Sequence, residues 1–342
     1  MQESLAVGNP GAAGTVATGT FQISPQTLLI AMPDGRCWLL HLGSSEVAAL
    51  PESAVAAERS TLAASAVEGA IAAGLAQGGH TPAAEPYTLL RYIRWLAGNY
   101  VFAGQTPGLF RRGAERFDAT GRRDLAAFAL QKAAEESGHA ELAYRDLQSL
   151  GLPAAEVVRL VAPPSARAFA ERFRTYVESS EPIALFGFSY CLERMAVERD
   201  HAFIRKVESI CPPGSRALRF LKVHSNIGSD SSHVHEQLSV FESFTNVELT
   251  MVIRAAYETA KMLARQLLMD QALSDVEINR RLRLAGIEVP FPPTDTRKTR
   301  KAIAILRKGL GWCTARTPLG PARTGQSTRT RRRTEDSARG RD

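Results

Sequence analysis

The pattern of apolar positions changes character along the 342-residue chain. Two short β-prone runs, Thr27 to Met32 and Cys37 to Leu42, flank Pro33-Asp34-Gly35, and apolar β-formers on either side of a Pro-Asp-Gly turn predict a hairpin. An alanine-rich stretch from about Ser53 to Ala76 predicts a helix, after which Gly78-Gly79 and Thr81-Pro82 predict a linker. From residue 86 onward apolar residues recur at i, i+3, i+4 and i+7, as in Leu125, Phe128, Ala129, Lys132 and Ala133. That period predicts helices near 87–103, 107–117, 121–150, 166–180, 182–208, 214–225, 230–244 and 246–273. Breakers fall between them at Gly151, Pro153, Pro163-Pro164, Pro182, Pro212-Pro213-Gly214 and Gly228. The expected architecture is an all-α helical bundle over 86–290 with a small α+β module over 20–85. Residues 1–19, rich in Gly, Ala and Thr, are expected to be disordered.

Composition narrows the class. With 44% apolar and 23% charged residues the chain has material for a sizeable core, which excludes disorder throughout. The longest apolar run, Ile183 to Leu192, is far short of the roughly 18 residues a membrane span needs, and MQESLAVG lacks the features of a secretion signal. The expectation is a cytoplasmic protein. Cys37, Cys191, Cys211 and Cys313 form no CxxC pair, so any metal here must use His and carboxylate ligands. The net charge of +7 is uneven: residues 291–342 hold 14 of the 42 Lys+Arg against 4 of the 35 Asp+Glu, a balance of +10 that leaves −3 for the rest. Basicity therefore belongs to a tail, expected to be largely disordered, and predicts no specific nucleic-acid partner.

Three of the seven histidines fall between His224 and His235. On a helix, residues three apart share a face, so Glu136-Ser-Gly-His139 and Asp230-Ser-Ser-His233 each present a carboxylate beside an imidazole. Such pairs are the ligand units of carboxylate-bridged two-metal sites in helical bundles. Glu193 ends the apolar run from Ile183, and a carboxylate buried there needs a partner. Hard carboxylate oxygens with imidazole nitrogens suit Fe(II) or Mn(II). The candidate ligands are Glu136, His139, Glu193, His224, Asp230 and His233.

AAEESGHAELAYRDLQSLG, SYCLERMAVE and RFLKVHSNIGSDSSHVHEQLSVFE resemble the core helices of the haem-oxygenase-like di-metal oxidases and oxygenases, over about residues 88 to 270. The resemblance implies a fold shared with haem oxygenase, thiaminase-type enzymes and pyrroloquinoline-quinone synthase. It implies a non-haem di-iron site (manganese being the other candidate) that uses O2 on a small, often amino-acid-derived or fatty-acid-derived substrate. Glu136 and His139 then match the early-helix ligands, Glu193 the central glutamate, and His224, Asp230 and His233 the last-helix cluster. The last cluster of that family reads HxxxDxxH, whereas Asn226 stands here where the first histidine belongs. A continuous helix would turn His224 about 240° from Asp230, so either residues 226–229 unwind or bulge to bring His224 back, or that ligand is missing. In an undistorted helix His235, eleven residues after His224, would share its face instead.

Other groups read as structural. Arg194, Arg199 and Asp200 suggest a solvated face around His201, Cys191 reads as a small core residue, and flanking arginines place Glu115 at the surface. Tyr92, Tyr100, Phe102, Phe186, Phe188 and Tyr190 are expected to face the interior, where some border a substrate pocket. PDGRCWLLHLGSSEVAAL faintly resembles peptide-presenting domains, so a peptide or carrier-bound substrate could dock by strand addition; a cap packed on the bundle is the plainer alternative. Two further function classes compete: a metal-free oxidase like pyrroloquinoline-quinone synthase, and a non-catalytic helical scaffold. A homodimer is compatible with all three.

Overall fold

Alternating apolar positions begin earlier than the hairpin reading allows. In the computed structural model, which describes residues 18–44, 46–79 and 87–290, β1 (Gly19–Ser24), β2 (Thr27–Ala31), β3 (Cys37–His41) and β4 (Val47–Ala49) form one antiparallel sheet in that order. The predicted hairpin is its centre, with Leu29 opposite Leu39. The edge strands escaped notice because β1 is half polar and β4 only three residues long. Phe21, Ile23, Leu29 and Ala31 turn inward with the period of two that a half-buried sheet requires.

The predicted alanine-rich helix is two. Ser60 adopts a left-handed φ of 53°, ending α1 (Ala54–Arg59), and the Thr61 hydroxyl then accepts the Ala64 N–H to start α2 (Leu62–Gln77). Nearly every side of α2 is buried, as expected of a helix that is apolar all round. It lies between the sheet and α13 (Asn246–Gln271), so the N-terminal strands share one hydrophobic core with the bundle.

The remaining helices are α3 (Leu89–Ala103), α4 (Thr106–Ala119), α5 (Arg123–Glu135), α6 (His139–Ser149), α7 (Ala154–Val161), α8 (Pro164–Val177), α9 (Ala184–Val197), α10 (His201–Ile210), α11 (Arg219–Val223), α12 (Asp230–Phe241) and α14 (Asp275–Leu284). The mostly helical architecture with a small N-terminal sheet is as the sequence predicts. Its interruptions are not. The helix expected over 121–150 breaks at Gly138, whose φ of +90° a side chain would disfavour. That over 182–208 breaks where the Asp200 carboxylate accepts the Phe203 N–H and begins α10. That over 214–225 shrinks to α11. Helices α7 and α14 were not predicted, the first being a short piece between prolines and the second highly charged. Residues 1–17, residues 80–86 with His80 and part of the predicted linker, and the tail from 291 with Cys313 lie outside the described residues, while Gly19, at the end of the segment expected to be disordered, instead opens β1. No helix among the described residues is long and apolar enough to cross a membrane.

Buried side chains form two clusters. One joins the sheet, α2, α4, α5, α8, α9, α12 and α13; the other joins α3, α6, α7, α10, α11 and α14. Between them lies a cavity of about 800 Å³, lined from both sides.

Candidate metal centre

The break at Gly138 sets the first half of the site. Glu136 closes α5 and His139 opens α6, so the turn, and not a continuous helix face, puts the Glu136 Oε2 3.1 Å from the His139 Nδ1. Burial would raise the Glu136 carboxyl, but the hydrogen bond with His139 and the charge of His224 outweigh it and hold it below its ordinary value. Burial likewise opposes the charged form of His139, and the Glu136 bond reverses the outcome, raising it.

The second half comes from the turn between α11 and α12. After Val223 the chain leaves the helix, and His224 adopts φ −95° and ψ 65°. Gly228 passes so close to the preceding turn that a Cβ there would stand 1.9 Å from the Val223 carbonyl oxygen. This unwinding overcomes the register defect: the His224 Nδ1 lies 3.1 Å from the Asp230 Oδ2, and its ring stands edge-on to that of His139 with centroids 4.7 Å apart. The His224 Nε2 is left buried without a hydrogen-bond partner among the described residues. One ligand atom from each of Glu136, His139 and His224 falls within a 4.8 Å group.

The other three candidates are close by but engaged differently. Asp230 is fully buried at the first position of α12; its Oδ2 faces His224, and its Oδ1 has no hydrogen-bond partner among the described residues. His233, one turn on, is buried with Nδ1 3.8 Å from that Oδ1 and Nε2 3.5 Å from the Glu135 Oε2. His235 is only half-buried and supplies its backbone oxygen to Arg59. Glu193 is held by Lys132, whose Nζ is 3.2 Å from Oε1, and accepts hydrogen bonds from Gln237 and Ser189. Burial pushes the Glu193 carboxyl up to about 8, against the pull of Lys132.

Whether this set suits a cation is decided by charge and unmet donors. Glu135, Glu136 and Asp230, with a Glu193 whose raised carboxyl keeps its proton near neutral pH, share one fully buried lysine, Lys132, which lies 2.8 Å from Glu135 and 3.2 Å from Glu193. Buried negative charge in excess of its counter-charge is costly unless a cation joins it. An imidazole whose Nδ1 faces a carboxylate, as in His224, is oriented with Nε2 ready to ligate. The oxygen and nitrogen donors fit Fe(II) or Mn(II).

Lys132, Glu135, Gln237 and Arg199 are site residues the sequence reading did not single out. Lys132 carried a visible signal, a lysine on an apolar stripe. Arg199 is a correction: it lines the cavity instead of a solvated face, while Arg194 turns inward to Glu68. His201 is exposed, Glu115 is at the surface paired with Arg112, and burial raises the Cys191 thiol well above its ordinary value, all consistent with structural roles. Among the expected pocket aromatics, Tyr92, Phe102 and Phe188 border the large cavity; Tyr100 lines a neighbouring pocket with Glu136, Phe186 stacks on Phe117, and Tyr190 binds Glu68. Glu136, Glu193, His224 and Asp230 all open onto the large cavity.

No family model matches the chain, and no curated protein matches it. Among solved structures it is similar to a domain of unknown function with a haem oxygenase-like fold from Shewanella denitrificans, at 18% identity over 64% of this chain and 88% of that one, with a TM-score of 0.46. It is also similar to TenA homologues from Pseudomonas syringae pv. tomato (13% identity, 60% and 93% covered, TM-score 0.44) and Pyrococcus furiosus (16%, 57% and 89%, 0.41). Function must therefore be argued from the site itself.

Proposed function

We propose that the chain is a non-haem iron oxidase or oxygenase holding two iron ions, with manganese as the alternative metal, that uses O2 to oxidise a small substrate bound in the cavity. The observation that carries the proposal is the convergence of Glu136, His139 and His224 on the cavity wall, with the His224 Nε2 buried and unpartnered. Bound iron would supply the electrons and the activation of O2 that no side chain here can supply. The chain's own part is positional. Asp230 orients His224, the turn at Gly138 pairs Glu136 with His139, and the aromatic walls from Phe102, Phe169 and Phe188 keep water from the reacting end.

The two ion positions differ. Glu136, His139 and His224 offer an open group, whereas Lys132 already stands as the cation between Glu135 and Glu193. For Glu193 to ligate, with Asp230 and His233 beside it, Lys132 must give up that contact. The first ion therefore binds tightly and the second weakly. Anaerobic Fe(II) loading of the full chain, read as iron per chain after desalting and as an absorption band on adding O2, tests this. Retention should approach two ions at saturating metal and fall to about one at limiting metal. Lys132→Met should tighten the second ion, Glu193→Ala should lose it, and Glu136→Ala should lose the first. Folded Glu136→Ala protein that retains as much iron as the parent overturns the assignment.

A further inference from the structure

One wall of the cavity carries a positive charge that the metal centre does not use. Arg199 follows the end of α9, and its Nη1 donates to the His224 carbonyl oxygen at 3.3 Å. Its guanidinium lies over the Trp95 ring, 5.2 Å from the centroid, and its own carbonyl accepts the Asn226 N–H at 3.3 Å. It is thus fastened to the loop that delivers His224. Among the described residues no carboxylate comes within ion-pair distance of Arg199, in contrast with Arg94, which meets Asp270, and Arg194, which meets Glu68 and Glu198. A guanidinium has five N–H donors in a planar fork, and a single carbonyl leaves most of this fork without an acceptor among the described residues.

Away from Arg199 and the acidic residues, and beside the paired Arg91 and Arg94, part of the cavity wall is aromatic. Phe102, Phe169, Phe173 and Phe188 contact one another ring to ring, with centroids between 4.8 and 6.4 Å apart. Arg199 and those rings therefore present a planar two-pronged donor and an aromatic wall to one cavity that also opens on Glu136 and His224. We infer that the cavity binds a monocarboxylate with an apolar, ring-compatible body, and that Arg199 receives its carboxylate. One fork matches the two oxygens of one carboxylate. A doubly charged phosphate would face Glu136 and Asp230 beside Arg199, while Arg91 and Arg94, which also line the cavity, already meet the carboxylates of Asp275 and Asp270. Arg199 is accordingly a specificity-determining residue, and its tie to His224 sets the anchored end beside the metal centre. This substrate class rests on the oxidase reading for its catalytic meaning, but not for its binding.

The test is calorimetric titration of the metal-free full-length chain with 4-phenylbutanoate and with 4-phenylbutan-1-ol, which differ only in the charged end. The acid should bind at least about tenfold tighter than the alcohol, as a charge-assisted pair replaces a neutral one. Arg199→Gln should erase that preference while leaving the alcohol's affinity within about twofold, and Arg199→Lys should keep part of it. Absence of acid binding, equal binding of acid and alcohol by the unmodified chain, or an undiminished preference in folded Arg199→Gln protein each overturns the inference. If Arg199→Gln does not fold, the acid-to-alcohol ratio of the unmodified chain and of Arg199→Lys decides. Iron is absent from the assay, so a chain that prefers the acid yet retains no Fe(II) defeats only the oxidase reading, and the reverse result defeats only this one.

Discussion

Two buried carboxylate clusters in this molecule are built on opposite plans. Glu68, on α2, is 6% exposed and has both oxygens used: Oε2 accepts from the Ser53 hydroxyl at 2.5 Å, Oε1 accepts from the Tyr190 hydroxyl at 2.6 Å, and the Arg194 Nε reaches both at 3.0 and 3.1 Å. Glu136, equally buried at 7%, meets only His139, in a group where Asp230 and the two nearest histidines keep unpartnered atoms beside a cavity. A saturated cluster fastens the N-terminal segment to α9. An unsaturated one carries a standing electrostatic cost, which a structure retains where a ligand removes it.

The sharpest way to break this contrast is to delete the carboxylate in each place. Glu68→Ala leaves Arg194 and Tyr190 buried without their acceptor and should cost about 3–5 kcal/mol in urea or thermal unfolding. Glu136→Ala should cost about 1 kcal/mol, since one hydrogen bond is lost at a cavity wall. Equal losses would show that the candidate metal centre is a structural cluster like the other. The next effect concerns the turn that assembles the open cluster. Gly228→Ala forces the chain away from the Val223 carbonyl and should cost about 3 kcal/mol, the upper end for overpacking, while lowering iron per chain through His224. Full iron retention in that variant would mean His224 is dispensable.

Asp146 is intermediate between the two plans and gives a pH test. Fully buried, it accepts the Phe220 N–H at 2.9 Å and a bond from the Arg219 Nη1 at 3.2 Å, holding α11 against α6. Burial pushes its carboxyl up to about 6 in spite of those bonds. The folded chain then keeps a proton that the unfolded chain releases above its ordinary value near 4. The resulting stabilisation is fully present below about pH 4 and lost as pH rises through 6. Screening around the partly exposed Arg219 reduces the effect to about 1–2 kcal/mol. The difference in unfolding free energy between parent and Asp146→Asn, measured at pH 4 and 7, should change by that amount in the parent's disfavour as pH rises; a constant difference contradicts the raised carboxyl. The smallest effect is expected at His235, where His235→Ala should shift stability by no more than about 0.5 kcal/mol and leave iron binding unchanged. His233→Ala should lower iron occupancy, and the opposite pattern would move the ligand assignment from His233 to His235.

The sequence by itself determined the mainly helical architecture, the central hairpin, and the extent of α3, α8, α12 and α13, because those elements carry their own period and caps. Thr245 and Glu248, for instance, form the capping box that starts α13. It also marked Glu136, His139, Glu193, His224, Asp230 and His233, since carboxylates and imidazoles at short spacing are rare within apolar helices. Only the tertiary structure decided how they meet. Periodicity runs unbroken through Gly138, so nothing local announced that turn, whereas Gly228 marked a possible bulge without deciding whether it forms, because a left-handed φ or a close approach to a carbonyl is a property of backbone packing. The partner of Glu193 was likewise hidden, because Lys132 lies 61 residues away and reads as one polar position on an apolar stripe. Arg199 was misread for the same reason: charge in a sequence suggests solvent, and whether a guanidinium meets water, a carboxylate or a cavity depends on which helices close around it.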